Sequence, residues 1–362
     1  MFGFIETGEY HKWKKRRTNS TLTPDFLDTL NVLIVGGGSA GKRHLMNTRG
    51  LGIRNVSVVD PREDRRVEIQ ERFDDTVTFK TEEEAYAKNS YNVVIVANPP
   101  IFHIESATKA IRAAAHVLVE KNISHQVTGV EDFLNIADAG QRIVAVCCMY
   151  RFYDTLQYIK NLLDKNALGK VFSTQITFSE YMGDWHPWEK PSDFYSSQKK
   201  LGGSELYGEN HTIDCSRWFF GEVTEVSAYV KRLADVTVDT DDLAEMTCKH
   251  ESGVITQIHQ DAFGRRHRKD MWITGEKGTI FWDSYMGGNR VEWYQADSGT
   301  TEVFVGKKSR NDAFTDLLVD FLECIKTGRQ PVINGWEALK TLQATAAAEQ
   351  SSKENGKFVA VL

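Results

Sequence analysis

No stretch of this 362-residue chain holds the roughly 20 consecutive apolar residues that a membrane-spanning helix needs. The first residues lack an apolar core followed by a small-residue cleavage site, so no secretory signal is expected. An excess of basic charge is missing too: 44 Lys and Arg stand against 50 Asp and Glu, a net charge of −6. That balance gives no general attraction to nucleic acid or to an anionic membrane. Repeats and low-complexity linkers are absent. Cysteines are few and odd in number: Cys147, Cys148, Cys215, Cys248 and Cys324. None are spaced as metal ligands, so no metal is expected. Cys147 and Cys148 lie in an apolar run, residues 143–149, and read as buried free thiols, which fits a reducing cytoplasm.

What is present is an ordinary globular composition, 41% hydrophobic and 26% charged, long enough for two domains with a substantial core. Residues 31–60 organise it. A β-branched run, 32–35, enters a glycine turn with Gly36, Gly38 and Gly41 in G-x-G-x-x-G order. A helix is predicted over 39–49, and a second apolar run, 56–59, ends in Asp60. Strand, turn, helix, strand and acid in this order form a dinucleotide fingerprint. Gly36 permits the tight turn, Gly38 lets a pyrophosphate approach the backbone, and Gly41 lets helix and strand pack closely. The helix start at Ser39 and Ala40 offers unpaired N–H groups to phosphates. Asp60 can accept hydrogen bonds from the adenosine ribose diol and would repel a 2′-phosphate. Arg62, which follows, could cover the adenine or tolerate that phosphate. The expected cofactor is therefore NAD, with NADP left open.

After Asp60 helical and apolar strand patterns alternate to residue 148, and Thr81 with Glu84 reads as a capping box. Residues 93–97 form a wholly apolar strand ending in Asn98-Pro99-Pro100, with His103 opening a helix. Another strand, 116–119, stops at Glu120-Lys121-Asn122. This alternation predicts a doubly wound parallel sheet with ligands beyond the carboxyl ends of its strands. From Tyr150 the pattern changes. One helix, 154–165, precedes runs read as strands at 171–181, 223–231, 243–250, 253–260, 271–274, 278–282 and 291–294, a mainly antiparallel sheet. Helices are predicted at 207–220, 312–326 and 336–353, and a last strand at 358–362. The division expected is an extension over 1–30, a dinucleotide domain over 31–150 and a substrate and oligomerisation domain over 151–362. The cluster Lys12, Lys14, Lys15, Arg16 and Arg17, with Trp13, reads as solvated surface.

Lys121 follows a strand at the cleft edge. Shielded from water beside a nicotinamide its pKa would fall, and it could take the proton of a substrate hydroxyl. His211 and Asp214 lie three apart, on one helical face, so the carboxylate could fix the tautomer of a histidine that bonds the reacting oxygen. Between the strands at 171–181 and 223–231 lies an aromatic insertion with Trp185, Trp188, Phe194 and Tyr195, followed by Lys199 and Lys200. Its tryptophans could stack on a sugar or a base, or pack a domain interface.

These residues make an ordered set: the glycine turn continuing to Lys42-Arg43-His44, Asn98-Pro99-Pro100 with His103, Glu120-Lys121, Tyr150-Arg151-Phe152, Leu201-Gly202-Gly203, His211-x-x-Asp214 and Gly275-x-x-Gly278. The chain resembles the glucose–fructose oxidoreductase / inositol dehydrogenase / MocA family of NAD(P)-dependent oxidoreductases over nearly everything after residue 30. The resemblance implies a Rossmann domain and a C-terminal α+β domain whose large, mainly antiparallel open sheet makes a homodimer or homotetramer. It implies Lys121 as the catalytic lysine and His211 as its substrate-side partner, with Arg151 and Glu209 among the substrate-binding candidates. Two departures stand out. The family's Glu-Lys-Pro reads Glu120-Lys121-Asn122; asparagine almost never supports a cis bond, so a different backbone at Lys121 is expected. The family's aspartate four residues before the histidine is Tyr207 here, leaving Tyr207, Glu209 or Asp214 to substitute.

The function so implied is hydride transfer between nicotinamide and a CH–OH or C=O group of a sugar or nucleotide sugar. Two alternatives keep the fold: a dinucleotide-binding regulator with altered chemistry, and an oxidoreductase that recycles a tightly held cofactor.

Overall fold

The computed structural model describes residues 21–185, 190–285 and 289–362. The basic cluster at 12–17 and Trp188 lie outside the described residues. A short helix, α1 (Pro24–Asp28), which the sequence pattern did not announce, is capped by the Thr23 side chain. Behind it comes a six-stranded parallel sheet. Its strands are β1 (Asn31–Val35), β2 (Asn55–Val59), β3 (Val77–Phe79), β4 (Val93–Val96), β5 (His116–Val119) and β6 (Val144–Val146). Their spatial order is β3-β2-β1-β4-β5-β6, which reverses at β1 and so creates a crevice beyond the ends of β1 and β4. All four residues of β4 are buried, as a strand covered on both faces requires.

The crossovers are α2 (Ser39–Gly50), α3 (Glu63–Arg72), α4 (Glu82–Lys88), α5 (His103–Arg112) and α6 (Val130–Ala139). Thr81 caps α4 by accepting from the Glu84 N–H at 3.2 Å. The Glu84 carboxylate turns back to the Lys80 N–H at 2.9 Å, so the expected box closes one residue early.

The second half begins with a 3-10 turn (Met149–Phe152) and α7 (Asp154–Asp164). Its nine strands are β7 (Val171–Tyr181), β8 (Val223–Lys231), β9 (Leu243–His250), β10 (Ile255–Asp261), β11 (Phe263–Gly275), β12 (Gly278–Asp283), β13 (Arg290–Gln295), β14 (Thr300–Val305) and the C-terminal β15 (Val359–Ala360). The order is β14-β13-β12-β11-β7-β10-β9-β8-β15. Every pairing is antiparallel except β7 with β10. The strand expected at 271–274 runs from Phe263, because the charged stretch Arg265 to Arg268 faces outward and hides the pattern. β14 escaped notice because none of its residues is buried, which leaves no apolar alternation to read.

The helix expected over 207–220 is two helices, α8 (Glu205–Gly208) and α9 (His211–Phe220). At the break the Glu209 carbonyl accepts from Gln260 Nε2 at 2.6 Å, a hydrogen bond from β10 that holds the interruption in place. Two long helices, α10 (Arg310–Thr327) and α11 (Gly335–Lys353), follow. α10 starts with a capping box, Ser309 with Asp312. Asn311 donates to the Asn47 side chain of α2 at 2.9 Å, and Ala145 of β6 forms a bridge with Asn334. These ties pack the C-terminal helices against the parallel-sheet half of the chain. No helix among the described residues is long and apolar enough to cross a membrane. All five cysteines are free and buried.

Candidate active site

The glycine turn is built as its spacing requires. Gly36 has φ +107°, and a Cβ there would lie 2.5 Å from the Ala97 carbonyl oxygen; one on Gly41 would lie 1.8 Å from the carbonyl oxygen of Gly36. At Gly38 the nearest neighbour of a Cβ would be the Arg65 guanidinium, at an ordinary 3.5 Å, so this glycine keeps an approach open rather than avoiding a clash. No side chain caps α2, which leaves the N–H groups of Ser39, Ala40 and Gly41 to an anion. Asp60 is buried at the end of β2. Its Oδ2 accepts from the Gly37 N–H and its Oδ1 from the Arg62 N–H, both at 2.8 Å. Turn, uncapped helix and buried acid fit the diphosphate and ribose of NAD. Arg62 itself extends outward and pairs with Asp64, while Arg65 lies at Asp60, 3.4 Å from Oδ2.

Asn98 and Pro99 end β4 as read. The Asn98 amide donates to Ser106 Oγ at 2.9 Å, while its Oδ1 is buried with no partner. His103 is engaged within the protein. Its two ring nitrogens face the carbonyl oxygens of Asn98 at 2.8 Å and Asn122 at 2.6 Å. It is fully buried and ties the loop after β4 to the loop after β5. Burial pushes its pKa down, although the two carbonyl contacts favour the charged ring.

Glu120 and Lys121 leave β5 in opposite senses. Glu120 Oε1 lies 2.8 Å from His44 Nε2 and its Oε2 accepts from the Lys121 N–H at 3.2 Å. Burial pushes this carboxyl up, but His44, Lys121 and Arg43 outweigh it and hold the pKa down at about 2. Lys121 Nζ crosses the crevice and donates to the carbonyl of Gly208. The bond from Lys121 to Asn122 is cis, which corrects the expectation drawn from the missing proline. The surroundings account for how the asparagine is accommodated: it is buried and its carbonyl meets His103. Burial lowers the Lys121 pKa, yet Glu209, the Tyr195 hydroxyl and Glu120 more than compensate, and it stands above its ordinary value. The fall expected from burial is thus reversed by neighbouring acids. His44, Glu120 and Cys147 hold donor atoms within 4.8 Å of one another; the His44–Glu120 hydrogen bond already occupies two of them.

His211 opens α9 and is buried. Its Nδ1 has no partner among the described residues, and its ring packs on Tyr150 at 4.7 Å. Burial first, then the charges of Lys121, Lys269 and Arg310, hold it well below the ordinary imidazole range, so the ring is neutral. Asp214 does not orient it. The carboxylate is fully buried and taken bidentately by Arg151, at 3.0 Å from Nε and 2.6 Å from Nη2. This corrects Asp214 as the partner of His211, and it gives Arg151 an internal role in holding Asp214. One turn along a helix places two side chains on one face but not necessarily toward each other. Tyr207 has another partner: its hydroxyl donates to Glu349 of α11 at 2.9 Å. Trp185 joins an apolar cluster with Met182, Phe194 and Ala262, so packing is the role it shows.

Several site residues carried no sequence signal. Lys269 on β11 is buried, 2.8 Å from Glu180 and 3.7 Å from Glu209, with its ammonium 4.9 Å from the Phe178 ring centre. Glu205, one turn before Glu209, is buried, and burial with Glu209 and Asp241 raises its pKa well above normal. Arg310, and Tyr195 of the aromatic insertion already marked in the sequence, sit within electrostatic reach of this cluster. Nothing in a linear pattern marks a lysine of a long strand or the first residue of a late helix as a neighbour of the far-upstream Lys121.

A dinucleotide sheet whose β5 end reaches across to a buried histidine and a cluster of carboxylates defines a nicotinamide-dependent oxidoreductase. Residues 30–147 match the oxidoreductase family with an NAD-binding Rossmann fold, and residues 156–281 match the GFO/IDH/MocA C-terminal domain. The chain belongs to the GFO/IDH/MocA family. It is 24% identical over 334 residues to a myo-inositol 2-dehydrogenase of Thermotoga maritima, covering 90% of this chain and 97% of that one. Its fold is similar to that of levoglucosan dehydrogenase in complex with NADH and levoglucosan, with a TM-score of 0.81, 18% identity, and coverage of 92% and 99%. It is similar also to the WlbA dehydrogenase of Bordetella pertussis in complex with NADH and UDP-GlcNAcA, at a TM-score of 0.78 and 17% identity, covering 92% and 98%. The protein is an NAD-dependent oxidoreductase of the sugar dehydrogenase type, acting on CH–OH donors.

Proposed function

We propose that the protein interconverts a CH–OH and a C=O group of a sugar or nucleotide sugar, with Lys121 as acid and base. The observation that carries this is the hydrogen bond from Lys121 Nζ to the Gly208 carbonyl. It brings the amine to the residue before Glu209, three positions from His211. Bound against the glycine turn, NAD supplies the hydride acceptor, or its reduced form the donor. In the oxidative direction the neutral Lys121 amine takes the substrate hydroxyl proton; in reduction the ammonium returns it to the carbonyl oxygen. Neutral His211 bonds the same oxygen. Glu209 takes the place of the family's missing aspartate by favouring the charged form of Lys121. Glu120, braced by His44, holds the Lys121 backbone.

The dehydrogenase relatives support the reaction class, and the WlbA complex, with its nucleotide sugar, supports that end of the substrate range. We assign residues 31–150 to the cofactor domain and 151–362 to the substrate domain. The open face of the nine-stranded sheet, where the register aligns Tyr229, Glu245 and His259 over Thr177, pairs copies of the chain. Five free thiols fit a cytoplasmic location. The test is Lys121→Ala. Turnover should fall by about 10² to 10⁴, with NADH affinity held within about twofold. Near-normal turnover in this variant would remove the mechanism.

A further inference from the structure

The charges around Lys121 do not close on themselves. Glu120 is engaged by His44 and the Lys121 N–H. Glu180 pairs with Lys269 at 2.8 Å and accepts from the Tyr285 hydroxyl. Glu209 lies 3.7 Å from Lys269. Glu205 is held toward its neutral form by burial. Two guanidinium groups are left over. Arg43, in the first turns of α2, lies 4.6 Å from the Phe314 ring centre. Arg310 stands one turn before Phe314 on the same face of α10. Neither has an ion pair or hydrogen bond with any other described residue. Their neighbours are paired: Lys42 with Glu68 at 2.7 Å and Lys308 with Asp316 at 2.6 Å.

Arg310 is exposed to solvent, yet its charge acts on Tyr150, Tyr153, Glu180 and Glu209. A solvent-reached charge that also acts on buried site residues stands at the edge of the site. Arg43 and Arg310 also act on each other; Glu120 favours the charge of Arg43 and Glu180 and Glu209 that of Arg310, but neither guanidinium has a carboxylate in hydrogen-bond contact among the described residues. The Asn311–Asn47 hydrogen bond at 2.9 Å ties the start of α10 to α2, the two helices that carry the pair. Such an arrangement is stabilised when an oxyanion enters, because the planar guanidinium fork matches a carboxylate or a phosphoryl group bidentately.

We propose that the substrate carries an oxyanion, a carboxylate or a phosphoryl group, held between Arg310 and Arg43, and that neutral polyols are discriminated against. The inference rests on the dehydrogenase reading above and narrows its substrate class. Arg310 is the specificity-determining residue. Arg43 assists from the cofactor side.

The test is calorimetric titration of the NADH-loaded protein with D-glucuronate (carboxylate alone), glucose 6-phosphate (phosphoryl alone), UDP-glucose (diphosphate alone), UDP-glucuronate (both), and neutral D-glucose and myo-inositol. At least one anionic probe should bind ten-fold or more tightly than either neutral one. Which arm binds separates the carboxylate from the phosphoryl source. Arg310→Gln should weaken that probe by about 10- to 100-fold, and Arg310→Lys, which keeps the charge but loses the fork, by less. NADH affinity, and the weak binding of the neutral sugars, should not move, which also shows that the variant is folded. A neutral probe binding as tightly as every anionic one would overturn the inference. So would anionic binding unchanged within about twofold in Arg310→Gln, or no anionic binding at roughly 10 mM. Each of these leaves Lys121-dependent turnover untouched, whereas failure of the dehydrogenase reading shows as turnover surviving Lys121→Ala.

Discussion

Lys121 and Gly208 meet across the crevice, the ammonium of the residue after β5 donating to the last carbonyl of α8. The contact joins the parallel-sheet half of the chain to the second half, and in the reaction proposed above the side chain releases it to reach a substrate oxygen. The acids around this lysine set its proton affinity, and they give the first prediction.

Burial lowers the Lys121 pKa and Glu209 is the foremost influence raising it. Replacing Glu209 by Gln should lower it, so that neutral amine is present at lower pH. The rising limb of kcat/KM against pH for substrate oxidation should move toward acid by up to about one unit, with a smaller change in its plateau. An unmoved limb would mean that another group titrates in the profile.

Glu120 should tie stability to pH. Its folded-state pKa is depressed to about 2, so its contribution is fully present above the ordinary carboxylate value near 4.5 and is lost as the pH falls toward 2. That contribution amounts to about 3 kcal/mol. Urea unfolding at a series of pH values between about 5 and 2.5 should show wild-type stability falling faster than that of Glu120→Gln.

Asp60 accepts from two backbone N–H groups at the turn while Arg65 and Arg66 stand beside it. Asp60→Ser should weaken NADH binding by about ten-fold or more and narrow the preference for NAD over NADP, because a repelling carboxylate is removed and the arginines remain. The ratio of kcat/KM for the two cofactors measures this; an unchanged ratio would place the discrimination elsewhere.

Tyr207 occupies the position where the family's aspartate is expected, but its hydroxyl is bonded to Glu349. Tyr207→Phe should therefore leave kcat/KM within about twofold and cost about 1 kcal/mol of stability. A loss of turnover without a loss of stability would return Tyr207 to the reaction.

Much of the fold could be read directly because its signals are local. The Gly36-Gly38-Gly41 spacing, the apolar run at β4 and the alternation of β7, β8 and β9 each reflect a backbone or burial constraint that acts within a few residues. The carboxyl ends of β4 and β5 marked the loops where Asn98 and Lys121 stand, since ligands in such sheets bind beyond those ends. What was not legible is how side chains choose partners. Asp214 shares a helical face with His211, yet the Arg151 guanidinium, arriving from the turn before α7, gives it two charge-assisted hydrogen bonds that a histidine cannot match.

By itself the order of residues determined a dinucleotide-binding sheet, a second large sheet and a lysine at the crevice edge, because hydrophobic periodicity and glycine sterics are properties of neighbours along the chain. The tertiary structure alone decided which charges are paired and which are left over. Lys269, Glu209 and Arg310 come from three separate segments, and their protonation and availability depend on burial and on Coulomb fields that exist only once β11, the α8–α9 break and α10 have closed around Lys121.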